Sequence, residues 1–394
     1  MQVTTPSRIA ASLIQDGPTH RADLARRLSL SRTAISRAVD GLLEQHLVMA
    51  MPRTTDTPTL KDKMCLTPRF GLIASIAIDF DRILVGVGTL DGRLLASRVL
   101  TSGRRRRGEQ LVREAAACVR ELHQKVDGSA PLLLAHLAVN TQADRETGAV
   151  LGATASAAWS DINPKHLLEA ELGTEVRLEN TSRLLALAEQ RGRPHVSDLM
   201  YVQLSYGVAM GLVVDGQILG GSRGGAGELG HLSIDLEGRP CSCEGRGCLM
   251  QYIGRDALAA EVAQLLGEGA DVPDLNAVAR TGDAAAIELL AEFGRRAGAM
   301  LTGPCNLFEP TTLVIGGCLS EAGELFLGPL RDALRARALP LAVDGLSIEN
   351  ATSSLDPVTV LRAGLRCLRL DPMAQAAVVS RSLSTTHTRQ TQKV

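Results

Sequence analysis

Gly224–Cys248 reads GGAGELGHLSIDLEGRPCSCEGRGC, and the organisation of the chain follows from how that stretch is explained. His231, Cys241, Cys243 and Cys248 offer one imidazole nitrogen and three thiolates, the donor set of a closed, tetrahedral structural zinc site. Gly238, Gly245 and Gly247 stand among them, where residues without Cβ let a short chain fold back on itself. Three of the chain's eight cysteines fall between positions 241 and 248. Thiols clustered this tightly need a metal or a disulfide to explain them. A disulfide is the weaker option in a chain that reads as intracellular. Four protein ligands leave no open coordination position, so the expected zinc is structural and not catalytic.

Outward from that loop, the 394 residues are 45% hydrophobic and 22% charged, enough for large cores and two or three domains. The start, MQVTTPSRIAASLIQDG, lacks a basic opening followed by a long apolar run, and no stretch has the apolar length of a bilayer span. A cytoplasmic location without a membrane partner is expected. The net charge of −1 hides a local bias: residues 1–63 carry nine Lys and Arg against six Asp and Glu. The sign suits a polyanion. Aromatics, at 2%, are too scarce for stacking platforms that bind single-stranded nucleic acid.

The amino-terminal segment shows three short helical patterns. Residues 7–15 place Ile9 and Leu13 at helical spacing, and Asp16-Gly17-Pro18 stops them. RADLARRLSL follows, with Leu24, Ala25 and Leu28 on one face, and Ser31 is a natural N-cap for SRTAISRAVDGLLEQ. In that third helix Ile35, Val39, Leu42 and Leu43 point inward. Arg32, Thr33, Ser36 and Arg37 lie near its amino end on the other side, where a recognition helix reaches base edges and phosphates. Helical pairs with a short turn also occur in plain bundles. The next segment favours DNA: residues 46–49, a polar basic loop, and a return through KDKMCLTP read as a β-wing, with Arg53, Lys61 and Lys63 available to backbone or minor groove. Residues 72–79, 83–89 and 93–99 then read as antiparallel strands, with Asp91-Gly92 as a hairpin turn, followed by a helix over about 108–126. Arg104–Arg107 reads as a solvated charged loop.

The amino-terminal segment resembles the winged helix-turn-helix of the ROK family (repressors, open reading frames and sugar kinases). The zinc stretch resembles that family's signature, GELGH followed by CxCGxxGC, with Glu244 where the family usually has glycine. The wing lacks the family's frequent Gly-Arg-Pro. The likeness continues through most of residues 70–370. It implies an α/β chain: a mostly α winged helix-turn-helix (1–67), then a two-lobed actin-like, ribonuclease-H-like ATPase fold (70–372) carrying the zinc loop (227–249). A polar tail (373–394) without periodicity is expected to be disordered.

Phosphoryl transfer needs a glycine turn for phosphate, a carboxylate for metal, and a base at the substrate hydroxyl. The family's DxGGT corresponds to Asp79-Phe80-Asp81-Arg82-Ile83, without either glycine, and its second turn to Ser205-Tyr206-Gly207. The family's Asn-Asp-x-Asn corresponds to Asn180-Thr181-Ser182-Arg183, which puts Thr181 at the catalytic aspartate, and Ala155 replaces a sugar-gripping asparagine. Leu313–Gly317 resembles the strand and turn that lie against adenosine, here read as structural. Asn180, Glu228 and His231 remain as candidates for an effector pocket. The expectation is therefore a DNA-binding regulator, a repressor, with no catalytic residues. It would work as a homodimer or homotetramer on a double-stranded operator, hold structural Zn2+, and respond to a sugar, to another small molecule or to none. The alternative is an active sugar kinase fused to a DNA-binding segment.

Overall fold

The computed structural model describes residues 4–51, 62–79, 82–101, 107–150, 159, 162–205, 207–369 and 378–380. By their contacts they divide into two units, 1–139 with 161–178 and 356–394, and 140–160 with 179–355.

The first unit begins with helices α1 (Thr5–Asp16), α2 (Arg21–Leu28) and α3 (Arg32–Glu44). Side chains start two of them. Thr4 accepts from the Ser7 N–H, and Ser31 accepts from the Ala34 N–H at 3.1 Å, as an N-cap should. Ile9, Leu13, Leu24, Ile35, Val39 and Leu42 are buried, the inward stripes expected from their spacing. Strands β1 (Thr19–His20), β2 (Val48–Ala50) and β3 (Lys63–Leu66) form a small sheet in the order β1-β3-β2. The expected wing strand over 46–49 shifts by a residue or two, because His46 turns the chain at φ 55 before the strand begins. The two-residue β1 is too short to leave an alternating pattern in the sequence.

Beyond a turn at Pro68–Phe70, β4 (Leu72–Ile78), β5 (Arg82–Thr89) and β6 (Leu94–Thr101) form the antiparallel set, followed by α4 (Gly108–Asp127). Strand β7 (Leu132–Val139) lies parallel to β4, and α5 (Pro164–Leu172) leads to β8 (Val176–Asn180). The sheet order is β6-β5-β4-β7-β8. Helix α13 (Pro357–Arg369) returns to pack on β4 and β5. Every residue of β4 is buried, which explains why its run is apolar except for Ser75, whose hydroxyl donates to the Gly86 carbonyl at 3.4 Å.

In the second unit α6 (Thr181–Gly192) is followed by β9 (Leu199–Leu204), β10 (Val208–Val214) and β11 (Gln217–Ile218). Helices α7 (Met250–Ile253), α8 (Arg255–Leu266), α9 (Val272–Arg280) and α10 (Ala284–Phe308) precede β12 (Thr312–Gly316). Next come α11 (Glu324–Arg335), α12 (Pro340–Val343) and β13 (Ser347–Asn350). The sheet order is β11-β10-β9-β12-β13, with the first three strands antiparallel and β12 parallel to β9. Each unit thus uses one plan: three antiparallel strands, then two more on the inner strand's other side.

The winged helix is not set apart from the first lobe. Ile9, Leu13, Leu42 and Leu66 share one hydrophobic cluster with Phe70, Ile73, Leu90 and Leu133. Within the tail expected to be disordered (373–394), three residues differ from that expectation, and the others lie outside the described residues. Val378–Ser380 are helical, and Val378 and Val379 are buried in the same cluster. A two-residue apolar anchor gives no periodic signal.

Candidate nucleic-acid interface and metal centre

On α3, Arg32, Thr33 and Arg37 are exposed and Ser36 is half-buried. The pairing of nearby cations separates these arginines from their neighbours. Arg21 is paired with Asp40 at 2.8 Å, Arg26 with Asp23, and Arg27 with Asp16 at 2.9 Å. Among the described residues Arg32 and Arg37 have no acidic partner and no hydrogen bond to their guanidinium groups. Lys63 is exposed on β3, opposite His20 in register. The other two expected wing cations, Arg53 and Lys61, lie outside the described residues.

The metal loop sits in the second unit. His231 closes a tight turn that begins at Leu229, and the chain returns so that the Leu249 N–H donates to the Leu232 carbonyl at 3.0 Å and the Ile234 N–H to the Gly247 carbonyl at 2.9 Å. Gly247 is required there: it sits at φ 66, and a Cβ would overlap the Asp235 carbonyl oxygen. Glu244, where the signature carries glycine, takes the same left-handed conformation at φ 69.

The four predicted donors converge. One ligand atom from each of His231, Cys241, Cys243 and Cys248 lies within 4.8 Å of all the others. Cys241 Sγ is 3.6 Å from His231 Nδ1, and Cys243 Sγ is 3.5 Å from Cys248 Sγ. A tetrahedron with metal–sulfur bonds of about 2.3 Å has edges of roughly 3.7 Å, so the donor set fits a single ion. Burial raises the Cys241 thiol, but the Cys243 N–H and neighbouring donors outweigh it and bring it to about 6. Cys248 is pushed up to about 12 by burial and by the adjacent thiols. Three thiols at this spacing do not all ionise by themselves, and a divalent cation removes that conflict.

Asn180 caps α6: its side-chain oxygen accepts from the Ser182 N–H at 2.9 Å and from the Ser182 hydroxyl at 2.5 Å. That oxygen is therefore committed to the fold. The hydroxyls of Thr181 and Thr141 are buried without a hydrogen-bond partner among the described residues. Burial raises the Glu228 carboxyl, against the opposing charges of His231 and Arg183. His231 directs Nδ1 at the Cys241 thiol, which places it in the candidate metal set. Phe80, Asp81, Tyr206 and Ala155 lie outside the described residues.

Sequence reasoning missed a buried ion-pair network beside these groups. Arg183, 2% exposed, donates from Nε to Glu179 Oε1 at 2.6 Å and from Nη1 to the Ala226 carbonyl at 2.6 Å. Arg145 Nε stands 3.7 Å from the second Glu179 oxygen. Burial raises the Glu179 carboxyl, but Arg183 and Arg145 hold it below the usual range. The network ties the start of α6 to the turn at Ala226-Gly227, and the Gly227 carbonyl accepts from the Met210 N–H of β10 at 2.8 Å. The i, i+4 spacing of Glu179 and Arg183 was the available signal, but it gives no sign of burial.

A repeated five-stranded plan behind a three-helix winged segment defines an actin-like, two-lobed protein with an amino-terminal winged helix-turn-helix. Residues 73–350 match the ROK family, and the chain belongs to it. It is 23% identical over 350 residues to a xylose repressor of Bacillus spizizenii, covering 87% of this chain and 89% of that one. It is 30% identical over 219 residues to a glucokinase of Halalkalibacterium halodurans, covering 50% and 65%. Among solved structures, a ROK family transcriptional regulator described as a homolog of the Escherichia coli MLC protein superposes with a TM-score of 0.75 at 22% identity, covering 95% of this chain and 98% of that one. Among the described residues no helix is long and apolar enough to cross a membrane.

Proposed function

We propose that the chain is a DNA-binding transcriptional repressor whose kinase-like body performs no phosphoryl transfer. The observation that carries it is the exposure of Arg32 and Arg37 on α3, without partners among the described residues, beside Arg21, Arg26 and Arg27, which are paired. Unpaired cations at the start of an exposed helix suit phosphates and guanine edges. The xylose repressor and the MLC-like regulator among its likenesses support the same reading. Thr181, at the start of α6, has a hydroxyl that cannot take a proton at neutral pH as a carboxylate does, which supports an inactive body.

The protein works in the cytoplasm as a homodimer or homotetramer, since one recognition helix makes too few contacts for a specific site and paired half-sites need a two-fold protein. Zn2+ held by His231, Cys241, Cys243 and Cys248 fixes the loop. Thr141, Thr181 and Glu228 form the polar lining for a small-molecule effector, a sugar or another polar metabolite. The decisive experiment selects duplexes from a random pool and measures their affinity by fluorescence anisotropy, with a coupled ATP assay over a panel of sugars alongside. Selection of one duplex, lost on Arg32→Ala and Arg37→Ala, supports the proposal. Sugar-dependent ATP turnover that Asp79→Ala abolishes would replace it with a kinase.

A further inference from the structure

The turn between β5 and β6 touches the winged helix in a way that neither its sequence nor its place in the lobe explains. The Asp91 side chain is fully covered. Its carboxylate accepts from the Leu66 N–H at 2.7 Å, from the Thr89 hydroxyl, and from Arg93 Nε at 3.4 Å. Arg93 Nη2 in turn donates to the Leu66 carbonyl oxygen. Both backbone polar groups of one residue, the last of β3, are therefore bonded by side chains of the body's turn. Strand β1 covers β3 only at Lys63 and Met64, so the turn takes over where β1 stops. It also meets α1: Gly17, which ends that helix, faces the Asp91 carbonyl oxygen, 3.5 Å from where its Cβ would stand.

The intervening chain adds no slack. The Thr67 N–H donates to the Leu47 carbonyl at 3.0 Å and its hydroxyl to the His46 carbonyl at 2.5 Å. Phe70 is buried, and the Leu72 N–H donates to the Pro131 carbonyl at 2.8 Å. A buried carboxylate that bonds a neighbouring backbone N–H leaves that donor unsatisfied when it is removed. The same loss on an ordinary lobe hairpin would not reach α1 and β3.

We propose that the Asp91–Gly92–Arg93 turn is a latch that fixes the winged helix on the first lobe, with Asp91 and Arg93 as positioning residues for DNA recognition. The recognition helix then moves only as the lobe moves, because β4 and β5 run unbroken from the Asp79–Arg82 end of the sheet to the latch end. A ligand effect on DNA binding thus travels as displacement of the lobe and not as ordering of a linker. The positioning role rests on the proposed DNA-binding function, whereas the latch itself does not.

Hydrogen–deuterium exchange on the full chain tests it, with Asp91→Ala, Arg93→Ala and Asp91→Asn, alongside affinity for the duplex selected from the random pool. Asp91→Ala should speed exchange in peptides from α1, α3 and β3 by roughly tenfold or more, leave β9, β10 and α10 at wild-type rates, and weaken DNA binding several-fold. Asp91→Asn keeps an acceptor for the Leu66 N–H and should restore much of both. If Asp91→Ala does not fold, Arg93→Ala, which leaves the Asp91–Leu66 bond in place, carries the same comparison. Wild-type protection of the winged helix in both alanine variants would overturn the latch, as would an equal loss through β4, β5 and β7. Lost protection with unchanged affinity would overturn the positioning role. If the wild-type chain selects no duplex, the DNA-binding reading fails by itself, and the exchange rates still decide the latch.

Discussion

Helix α3 and the start of α6 handle charge in opposite ways. On α3 the arginines at 32 and 37 are exposed and unpaired among the described residues, whereas at α6 the arginine at 183 is buried between a carboxylate and a carbonyl. Unpaired surface cations contribute little to folding and are available to a polyanion. A buried pair holds shape, and it is costly to break because the remaining partner is left uncompensated. The contrast teaches what each site does with an arginine: α3 presents Arg32 and Arg37 to solvent, and the start of α6 encloses Arg183 to place a loop.

The largest expected effect lies in that loop. Replacing Cys241 and Cys243 together by serine should abolish zinc binding, read by elemental analysis. It should also lower the melting temperature by about 10 °C or more, since structural zinc contributes several kcal/mol and each kcal/mol moves the midpoint by about 2–4 °C in a unit of this size. Unchanged melting with zinc still bound would remove the metal centre from the comparison. Next in size, Arg183→Met leaves the buried Glu179 carboxylate with only the more distant Arg145 as a cationic partner and should cost about 3 kcal/mol in denaturant unfolding. Adding Glu179→Gln should recover much of that loss. The sign with pH follows from the lowered Glu179 carboxyl. Its contribution is present above the ordinary glutamate range and is lost as pH falls through its folded value, so wild type and variant should converge in stability in acid.

The comparison sharpens further at α3. Arg32→Ala should cost about 1–3 kcal/mol of DNA affinity, measured by anisotropy, with no change in melting temperature. A drop in melting temperature of the size seen at Arg183 would mean that this arginine also serves the fold. The smallest effect is expected at Glu244. Glycine there relieves a left-handed backbone and should stabilise the loop by about 1 kcal/mol with the metal set intact, read by thermal unfolding.

The fold was largely legible because its signals are local. The Ser31 cap, the Ile35, Val39 and Leu42 stripe, the Asp91-Gly92 turn and the buried run of β4 all act over a few residues. The metal donors were legible because four strong ligands lie in one short stretch. What was missed depends on distance in sequence. Strand β1 exists only because β3 lies beside it, the Val378 and Val379 anchor only because a cluster receives it, and Asp91 looks like any turn residue until Leu66 is placed against it.

By itself, the sequence determined the winged helix, the strand set and the grouping of one histidine with three cysteines, since each is a matter of residue type and spacing. Only the tertiary structure decided which charges are buried and which stay free. The energy of a charge depends on what surrounds it: Arg37 and Arg183 are the same residue, and only packing puts one in water and the other against Glu179.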